Sequence, residues 1–316
     1  MSSKLLLVGT LLFSSSSFAD APTVVVAFDS SRLETPEGIV VDVFGNRYVT
    51  LALTSEVRRI ARDGSQQTLA RLPQGGPPLT PCAPEVGFVP IIGNLDIDLF
   101  GNLYVGVHSC NPAETGLYRI APSGAVTLLA SLPPRALPNG VEYRQGKVYF
   151  TDSAFGRVWR VPAQGGAAEI WSDDQLLKAP PGPFPAANGL QFFRGNFYVS
   201  NPGTGNILKI SLEPNGTAGP ARIHAQAPCD DFAFDVFGNL YCGTDPFNTV
   251  LRVFPDGGVE TLLDINDGLD GPTAVAFGRT QNEIFDIYIT NAAFPFFPNQ
   301  QTPTLMRYRV YAPGAQ

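Results

Sequence analysis

Four oxygen-bearing side chains occur along the sequence at intervals of 102, 49 and 42 residues: Glu37, Asn139, Asn188 and Asp230. The set has two carboxylates and two carboxamides, and neither histidine and none of the four cysteines belongs to it. Oxygen donors of this kind suit Ca²⁺ far better than Zn²⁺ or Cu²⁺. Each residue alone would be an ordinary strand-starting or turn residue. A shared metal site therefore requires a fold that brings all four together.

A repeated hairpin predicts such a fold. Each copy has an alternating apolar strand, a turn containing glycine, and a second strand that carries a tyrosine. These tyrosines are separated by 56, 45, 49, 43 and 47 residues: Tyr48, Tyr104, Tyr149, Tyr198, Tyr241 and Tyr288. A third and a fourth strand follow most hairpins. Six units of this length predict an all-β chain that forms a six-bladed β-propeller with four antiparallel strands per blade.

The two ends of the chain indicate how the propeller closes. The last repeat stops after its third strand, at 305–310, whereas an apolar strand at 23–28 belongs to no repeat. We expect this N-terminal strand to complete blade six, because closure removes the exposed sheet edges that promote aggregation. The propeller is predicted to span residues 22–316 as a single domain.

The first strand of each blade should line the central channel, so that equivalent residues meet at one mouth of it. Alignment of the hairpins puts Glu37, Asn139, Asn188 and Asp230 at equivalent positions. Blades two and six offer two alternatives each: Gly93 or Asn94, and Asp270 or Gly271. Converging carboxylates are costly to desolvate without a counter-charge, which a divalent cation would supply.

The N-terminus predicts export. Residues 1–21 combine Lys4, an apolar run at 5–13 and small residues before the expected cleavage point, as in a secretory signal peptide. That run is shorter than the ~20 residues of a membrane span, and no later segment is long and apolar enough for one. The net charge of −7 argues against nucleic acid or an anionic membrane as a partner. We expect a secreted or periplasmic protein.

The cysteines predict two disulfide bonds, since an exported protein meets an oxidising compartment. None of them forms a CxxC pair, which disfavours zinc and redox chemistry. The strand assignment favours Cys82 with Cys110, at one mouth, where the bond would fasten the insert at 74–92. The second pair would be Cys229 with Cys242, within the blade-five hairpin.

The sequence resembles the SMP-30/gluconolactonase/LRE-like family of calcium-dependent six-bladed propellers, which includes diisopropylfluorophosphatase-like and paraoxonase-like enzymes. The resemblance covers almost the whole chain after residue 21. It is carried by Glu37-Gly38, Asn139-Gly140, Asn188-Gly189 and Asp230 in that order. The residue after the aspartate is commonly Gly or Asn in relatives but is Asp231 here, so either carboxylate, or both, could be the ligand.

The resemblance implies a hydrolase of lactones or esters, in which Ca²⁺ polarises a carbonyl and stabilises the developing oxyanion. Asp230 and Glu37 are candidates for base or nucleophile. Because metal binding lowers the pKa of a carboxyl group, Asp231 would be the better base if it is not a ligand. His108, at the end of a second strand, is a candidate proton shuttle, although a lone histidine there is more often structural.

Three inserts, at 74–92, 172–187 and 292–303, are predicted at the metal-bearing mouth. They carry five phenylalanines: Phe88, Phe184, Phe294, Phe296 and Phe297. These rings suggest an apolar lid over a small lactone or ester of apolar character, or else only pack the inserts onto the rim. Two further functions fit the fold: a non-hydrolytic enzyme of the strictosidine-synthase-like type, and an NHL-like propeller that binds without catalysis.

Overall fold

The computed structural model describes residues 21–182, 185–298 and 300–315. These residues form 24 strands and five 3-10 turns, and the strands make six four-stranded antiparallel sheets. The innermost strands contact one another in a closed cycle, from blade one through blade six and back. The predicted six-bladed propeller is therefore confirmed. The predicted signal peptide lies outside the described residues except for Ala21.

Each blade runs from an inner strand beside the channel to an outer strand at the rim. By blade the strands are: one, β2 (Pro36–Val41), β3 (Arg47–Leu51), β4 (Glu56–Ile60) and β5 (Gln66–Arg71); two, β6 (Ile91–Ile97), β7 (Leu103–His108), β8 (Gly116–Ile120) and β9 (Val126–Ser131); three, β10 (Pro138–Arg144), β11 (Lys147–Asp152), β12 (Arg157–Pro162) and β13 (Glu169–Ser172); four, β14 (Leu190–Phe193), β15 (Asn196–Asn201), β16 (Asn206–Ser211) and β17 (Arg222–Gln226); five, β18 (Phe232–Phe234), β19 (Leu240–Thr244), β20 (Thr249–Val253) and β21 (Val259–Leu263); six, β22 (Pro272–Phe277), β23 (Asp286–Asn291), β24 (Thr304–Arg309) and β1 (Thr23–Ala27). The 3-10 turns are Ser30–Arg32, Ala52–Thr54, Pro112–Glu114, Gln175–Leu177 and Ile265–Asp267.

The N-terminal strand closes the ring as predicted. β1 pairs antiparallel with β24, from Thr23 opposite Arg307 to Ala27 opposite Thr304. The first described strand thus becomes the outer strand of the last blade.

An aspartate at the end of the inner strand fixes the first hairpin turn of blade one. The Asp42 carboxylate accepts hydrogen bonds from the backbone N–H groups of Phe44 and Asn46, at 2.9 and 2.8 Å, and from the Asn46 side chain. The same arrangement recurs around Asp98 and Asp235. Gly45 has a φ of 83°, a conformation that side-chain-bearing residues rarely adopt. These contacts fix where the second strand begins, and therefore the register of the hairpin.

The hydrophobic core lies between neighbouring blades. Tyr149 and Trp171 of blade three pack against Phe197 of blade four, with ring centroids 4.5 and 4.9 Å from that of Phe197. Aromatic contacts of this kind add about 0.5–1.5 kcal/mol to the free energy gained from apolar burial. They hold adjacent blades face to face and so set the positions of the inner strands.

Both predicted disulfide bonds are present. Cys82 and Cys110 fasten the 74–92 insert beside blade two, with Cα atoms 4.9 Å apart. Cys229 pairs with Cys242 of β19, at a Cα separation of 5.7 Å, and directly precedes Asp230. The second bond therefore fixes the segment that carries a candidate metal ligand. Within the described part of the chain, the structure has no helix with the length and apolar character needed to cross a membrane.

The C-terminal segment 310–315 forms a strap beneath blades six and five, at the end of the propeller opposite the candidate site. Gly314 N–H donates to Ile284 C=O, and Ala315 N–H donates to Phe234 C=O. A Cβ atom at Gly314 would lie 2.4 Å from the Phe277 side chain, so only glycine fits this crossing. The strap joins blades six and five at this end, whereas at the mouth the Asp231 N–H donates to the Thr273 carbonyl at 2.9 Å.

We expect Gly314→Ala to lower the free energy of unfolding by about 1–3 kcal/mol, because the added methyl group overlaps the buried Phe277 ring. Chemical denaturation measures this change. Gly182→Ala is the matched control, since among the described residues a Cβ there would meet only the Pro180 carbonyl, at 3.8 Å. Equal stability of the two variants would contradict the strap's role.

Candidate functional site

Two rings of residues surround one mouth of the channel, where the inner strands begin. Strand pairing defines the upper ring as Glu37, Gly93, Asn139, Asn188, Asp230 and Thr273. The lower ring, one residue further along each strand, is Gly38, Asn94, Gly140, Gly189, Asp231 and Ala274.

The expectation for blade six was wrong, because Thr273 occupies the upper ring instead of Asp270 or Gly271. Pro272 pairs with Asn291 and Ala274 pairs with Thr290, which leaves Thr273 as the irregular residue between them. The Thr273 hydroxyl donates to the Glu37 carbonyl, at 2.8 Å, and so connects blade six to blade one. In blade two Gly93, one of the two predicted alternatives, belongs to the upper ring.

Glycines let the inner strands approach one another closely. A Cβ at Gly93 would lie 2.7 Å from the Asn139 Cα, and one at Gly140 would lie 2.5 Å from the Asn188 carbonyl oxygen. A Cβ at Gly189 would lie 2.6 Å from the Asp230 carbonyl oxygen. In each Asn-Gly pair the asparagine therefore faces the mouth, and the glycine leaves room for the backbone of the next inner strand.

Hydroxyl groups on the second strands support the rings in four of the blades. The Gly38 N–H donates to Thr50 Oγ1 at 2.8 Å, and the Gly189 N–H donates to Ser200 Oγ at 2.7 Å. Thr151 and Thr290 do the same in blades three and six. The sequence analysis missed these residues, although each lies two positions after a repeat tyrosine.

The structure brings three of the four predicted metal ligands into one electrostatic and hydrogen-bonded group. Asn188 Nδ2 donates to Asp230 Oδ1. Among the described residues, Glu37 Oε2 and Asn188 Oδ1 are enclosed without a hydrogen-bond partner. Glu37 and Asn188 are only 8% and 3% exposed. The fourth residue, Asn139, lies on the same ring and is partly exposed. Enclosed oxygens without donors are what a cation site requires.

Asp231 lies in the lower ring and points across the channel. Its Oδ2 accepts a hydrogen bond from Asn94 Nδ2 of the opposite blade, and its Oδ1 accepts one from the Phe232 N–H at 2.7 Å. Asn94 Oδ1 in turn accepts from the Ile39 N–H at 3.1 Å. The two adjacent aspartates therefore have different environments: Asp230 contacts a predicted metal ligand, and Asp231 bridges the channel beneath it.

Burial raises the pKa of four carboxyl groups at this mouth, those of Glu37, Asp230, Asp231 and Asp245. The pKa of Glu37 is raised well above its usual range by burial and then by the charges of Asp245 and Asp231. That of Asp230 is raised by burial and by Glu37, Asp245 and Asp231. Burial raises the pKa of Asp231 to about 7 and that of Asp245 to about 6. Among the described residues, no lysine or arginine is one of the groups that shift these four pKa values, so the clustered carboxylates create a strong demand for a cation.

His108 lies at the end of β7 and is buried. Its Nδ1 is 2.8 Å from the Ala136 carbonyl oxygen, and burial lowers its pKa. The Phe88 backbone, in the 74–92 insert, also interacts with the ring. These contacts favour a structural role in holding the insert.

The donor set fits a hard cation such as Ca²⁺, since all of its side chains present oxygen and two of those oxygens are enclosed without partners. In the described residues no three His, Cys, Asp or Glu side chains are grouped closely enough to hold a metal by themselves. The candidate site differs from such a group because two of its four members are asparagines.

Two inserts meet above this mouth. The Phe88 and Phe296 rings lie 6.4 Å apart, and Phe294 packs 5.7 Å from Phe296. Phe294 is buried with Leu53 and Val89, whereas Phe88 and Phe296 remain 50% and 44% exposed. The buried Phe294 ring thus packs its insert onto the rim, while the Phe88 and Phe296 rings remain exposed to solvent. Phe184, in the third insert, lies outside the described residues.

Comparison with protein-family models and with curated protein sequences finds no match. Solved structures match over nearly the whole length. A luciferin-regenerating enzyme aligns with a TM-score of 0.66 at 12% identity, covering 93% of this chain and 97% of that one. Regucalcin from Agrobacterium tumefaciens, described as a calcium-binding protein, gives 0.66 at 14%, covering 94% and 96%. A gluconolactonase from Xanthomonas campestris gives 0.63 at 17%, also covering 94% and 96%.

These matches establish that the chain shares the propeller fold of proteins from the group that its sequence resembles. The structural matches are independent of the ordered sequence motifs, and they support the resemblance that those motifs predicted.

We expect the metal-free protein to lose stability as the pH rises from 5 to 7. Asp231 and Asp245 hold protons in the folded state up to about pH 7 and 6, while the unfolded chain releases them near 3.8. The folded state therefore binds more protons than the unfolded state in this window. Each excess proton lowers the free energy of unfolding by about 1.4 kcal/mol per pH unit.

Thermal unfolding in the presence of a chelator tests this expectation. Asp231→Asn should flatten the fall in Tm with pH, whereas Asp63→Asn, at an exposed turn, should leave it unchanged. A Tm that rises between pH 5 and 7 would be inconsistent with protonated, buried carboxyl groups.

Proposed function

We propose that this protein is an exported, calcium-dependent hydrolase of lactones or esters, belonging to the SMP-30/gluconolactonase-like group. The observation that carries the proposal is the upper ring, where Glu37 and Asn188 present enclosed oxygens without donors beside Asp230. A cation is the ligand that this arrangement favours. The gluconolactonase and regucalcin folds support a lactonase among the reactions open to it.

In the proposed site Ca²⁺ would be held by Glu37, Asn139, Asn188 and Asp230. When bound, it would polarise the carbonyl of the substrate and stabilise the negative charge that develops on the carbonyl oxygen. The carboxylates would then remain ionised at neutral pH, because the cation removes the repulsion that raises their pKa values.

The residues of the chain would supply orientation and proton transfer. The sequence offers Asp230 and Asp231 for the proton of the attacking water, with His108 as a shuttle. Asp230 contacts Asn188 in the upper ring and is the better placed of the two aspartates to touch a substrate. The hydroxyls of Thr50, Thr151 and Ser200 hold the ring backbone and so preserve the spacing of the ligands.

The substrate is proposed to carry an apolar or aromatic group. Phe88 and Phe296 belong to two inserts that meet at the mouth, and each exposes about half of its surface. An apolar group between these rings would be removed from water next to the metal site. The two disulfide bonds support the proposal of an exported protein, because such bonds persist in oxidising compartments.

Calcium dependence is the first test of the proposed function. Purified protein should hydrolyse members of a panel of sugar lactones, aromatic lactones and aryl esters, lose this activity with a chelator and regain it with Ca²⁺. Asn188→Ala and Asn139→Ala should weaken Ca²⁺ affinity in titration calorimetry. Excess Ca²⁺ should restore their Tm, because binding to the folded state is linked to folding.

Asp230→Asn keeps the side-chain shape and one oxygen donor while removing a negative charge. At saturating Ca²⁺ it should fold, and it should lose turnover by on the order of a hundredfold or more if Asp230 itself takes the proton of the attacking water. Asp63→Asn is the control. Undiminished turnover with calcium bound would remove Asp230 from the chemistry. An NHL-like binding propeller or a non-hydrolytic enzyme would release no hydrolysis product from any of these substrates.

The two exposed phenylalanine rings above the mouth lead to a separate prediction. Phe88→Ala and Phe296→Ala should each raise KM for aromatic substrates about 2- to 10-fold, because one aromatic contact contributes about 0.5–1.5 kcal/mol. Neither should change KM for a small aliphatic lactone. Phe44→Ala removes a ring that is 75% exposed at the opposite end of the propeller and serves as the control. A KM that rises equally for both substrates would indicate damage to the fold instead of a lost contact.

A further inference from the structure

Asp245 is a carboxylate at the candidate mouth that belongs to neither ring. It directly follows β19, four residues after the repeat tyrosine Tyr241. His108 has the equivalent position in blade two, four residues after Tyr104. The two side chains therefore lie at opposite sides of one mouth. His108 is engaged by backbone groups of Ala136 and the insert, whereas Asp245 is partly exposed.

A glutamine from the 292–303 insert holds Asp245 in place. Gln300 Nε2 donates to Asp245 Oδ1 at 2.9 Å, and Gln300 is only 7% exposed. A Cβ at Gly271 would lie 2.9 Å from Asp245 Oδ1 and 2.7 Å from Gln300 Oε1. The absence of a side chain at Gly271 thus creates the space in which the pair forms.

Asp245 acts electrostatically on the upper ring. It is the strongest charge acting on Glu37, and it also raises the pKa of Asp230. The groups that act on Asp245 itself are Gln300, whose hydrogen bond lowers its pKa, and Asp270, whose charge raises it. With burial as the largest cause, the pKa of Asp245 lies at about 6.

The other carboxylates are less free to accept a proton from water. Asp230 is one of the proposed metal ligands, and a bound cation would make its carboxylate less basic. Both oxygens of Asp231 accept hydrogen bonds, from Asn94 and from the Phe232 N–H. Asp245 Oδ2 has no hydrogen-bond partner in the described part of the chain, and it is not enclosed as Glu37 Oε2 is. One oxygen is thus fixed by Gln300 while the other is available.

On the basis of the hydrolase proposed above, we propose that Asp245 is the catalytic residue that accepts the proton of the attacking water, with Gln300 as its positioning residue. The water oxygen bonds to the carbonyl carbon while its proton passes to Asp245 Oδ2. The carbon–oxygen bond of the lactone or ester then breaks, and Asp245 returns the proton to the departing oxygen. The products are a hydroxy acid from a lactone, or an acid and an alcohol from an ester.

The test separates turnover from metal binding in the calcium-loaded protein. Asp245→Asn keeps an oxygen that can accept the Gln300 hydrogen bond and should lower kcat by on the order of a hundredfold or more. Its Ca²⁺ affinity, measured by titration calorimetry, should stay within about tenfold of the original, because Asp245 is not one of the proposed ligands.

Gln300→Leu provides a second readout that a purely structural role would not produce. The loss of a hydrogen bond to the ionised carboxylate raises the pKa of Asp245, so the acidic limb of the kcat–pH profile should move to higher pH. Gln301→Ala, at the exposed neighbouring position on the same insert, should leave the limb unchanged.

Two results would overturn the assignment: a calcium-bound Asp245→Asn protein that retains kcat within about threefold, or an acidic limb that does not move in Gln300→Leu. Either result leaves the proposed hydrolase intact, since the unaltered protein would still be active. Absence of hydrolysis by the unaltered protein on every lactone and ester would instead refute the proposed function, and the role of Asp245 with it.

Discussion

The close convergence of six inner strands around one axis is the constraint on which the rest of the structure depends. Neighbouring backbones come so near at the mouth that Gly93, Gly140 and Gly189 have no room for a Cβ. Where one strand carries glycine, the next can present a polar side chain to the channel. The polar ring is therefore a product of strand packing, and the inter-blade aromatic contacts and ring closure serve to maintain that packing.

The repeat made most of the fold predictable, because hairpin turns and alternating strands are local features of the sequence. Closure by the N-terminal strand and the Cys82–Cys110 bond followed from strand order, whereas the offset of Cys229 and Cys242 within their hairpin left that pair open. The residues that face the channel at the start of each inner strand were harder to predict. One residue without a cross-strand partner, such as Thr273, shifts the alignment of its blade with the other blades. The direction of Asp231 and the approach of Gln300 to Asp245 depend on distant segments and leave no local signal.

The mouth concentrates features that reduce stability. Buried carboxyl groups, enclosed oxygens without donors and several inserts all gather on one side of the propeller. The opposite end carries tight turns in which Asp42, Asp98 and Asp235 accept several hydrogen bonds each. This asymmetry is typical of a scaffold with one rigid end. At the other end the buried carboxylates repel one another, and a bound cation would remove that repulsion.

The pairing of β1 with β24 joins segments that are 284 residues apart in sequence, at Thr23 and Arg307. Blades one to five each consist of consecutive strands, so their contacts are local, while blade six requires both ends of the chain. Contacts of such high sequence separation form late and slowly during folding. Without β1, blade six would have three strands and the outer edge of β24 would be unpaired. Loss of a few residues at the start of β1 would therefore affect the last blade of the propeller and not the first.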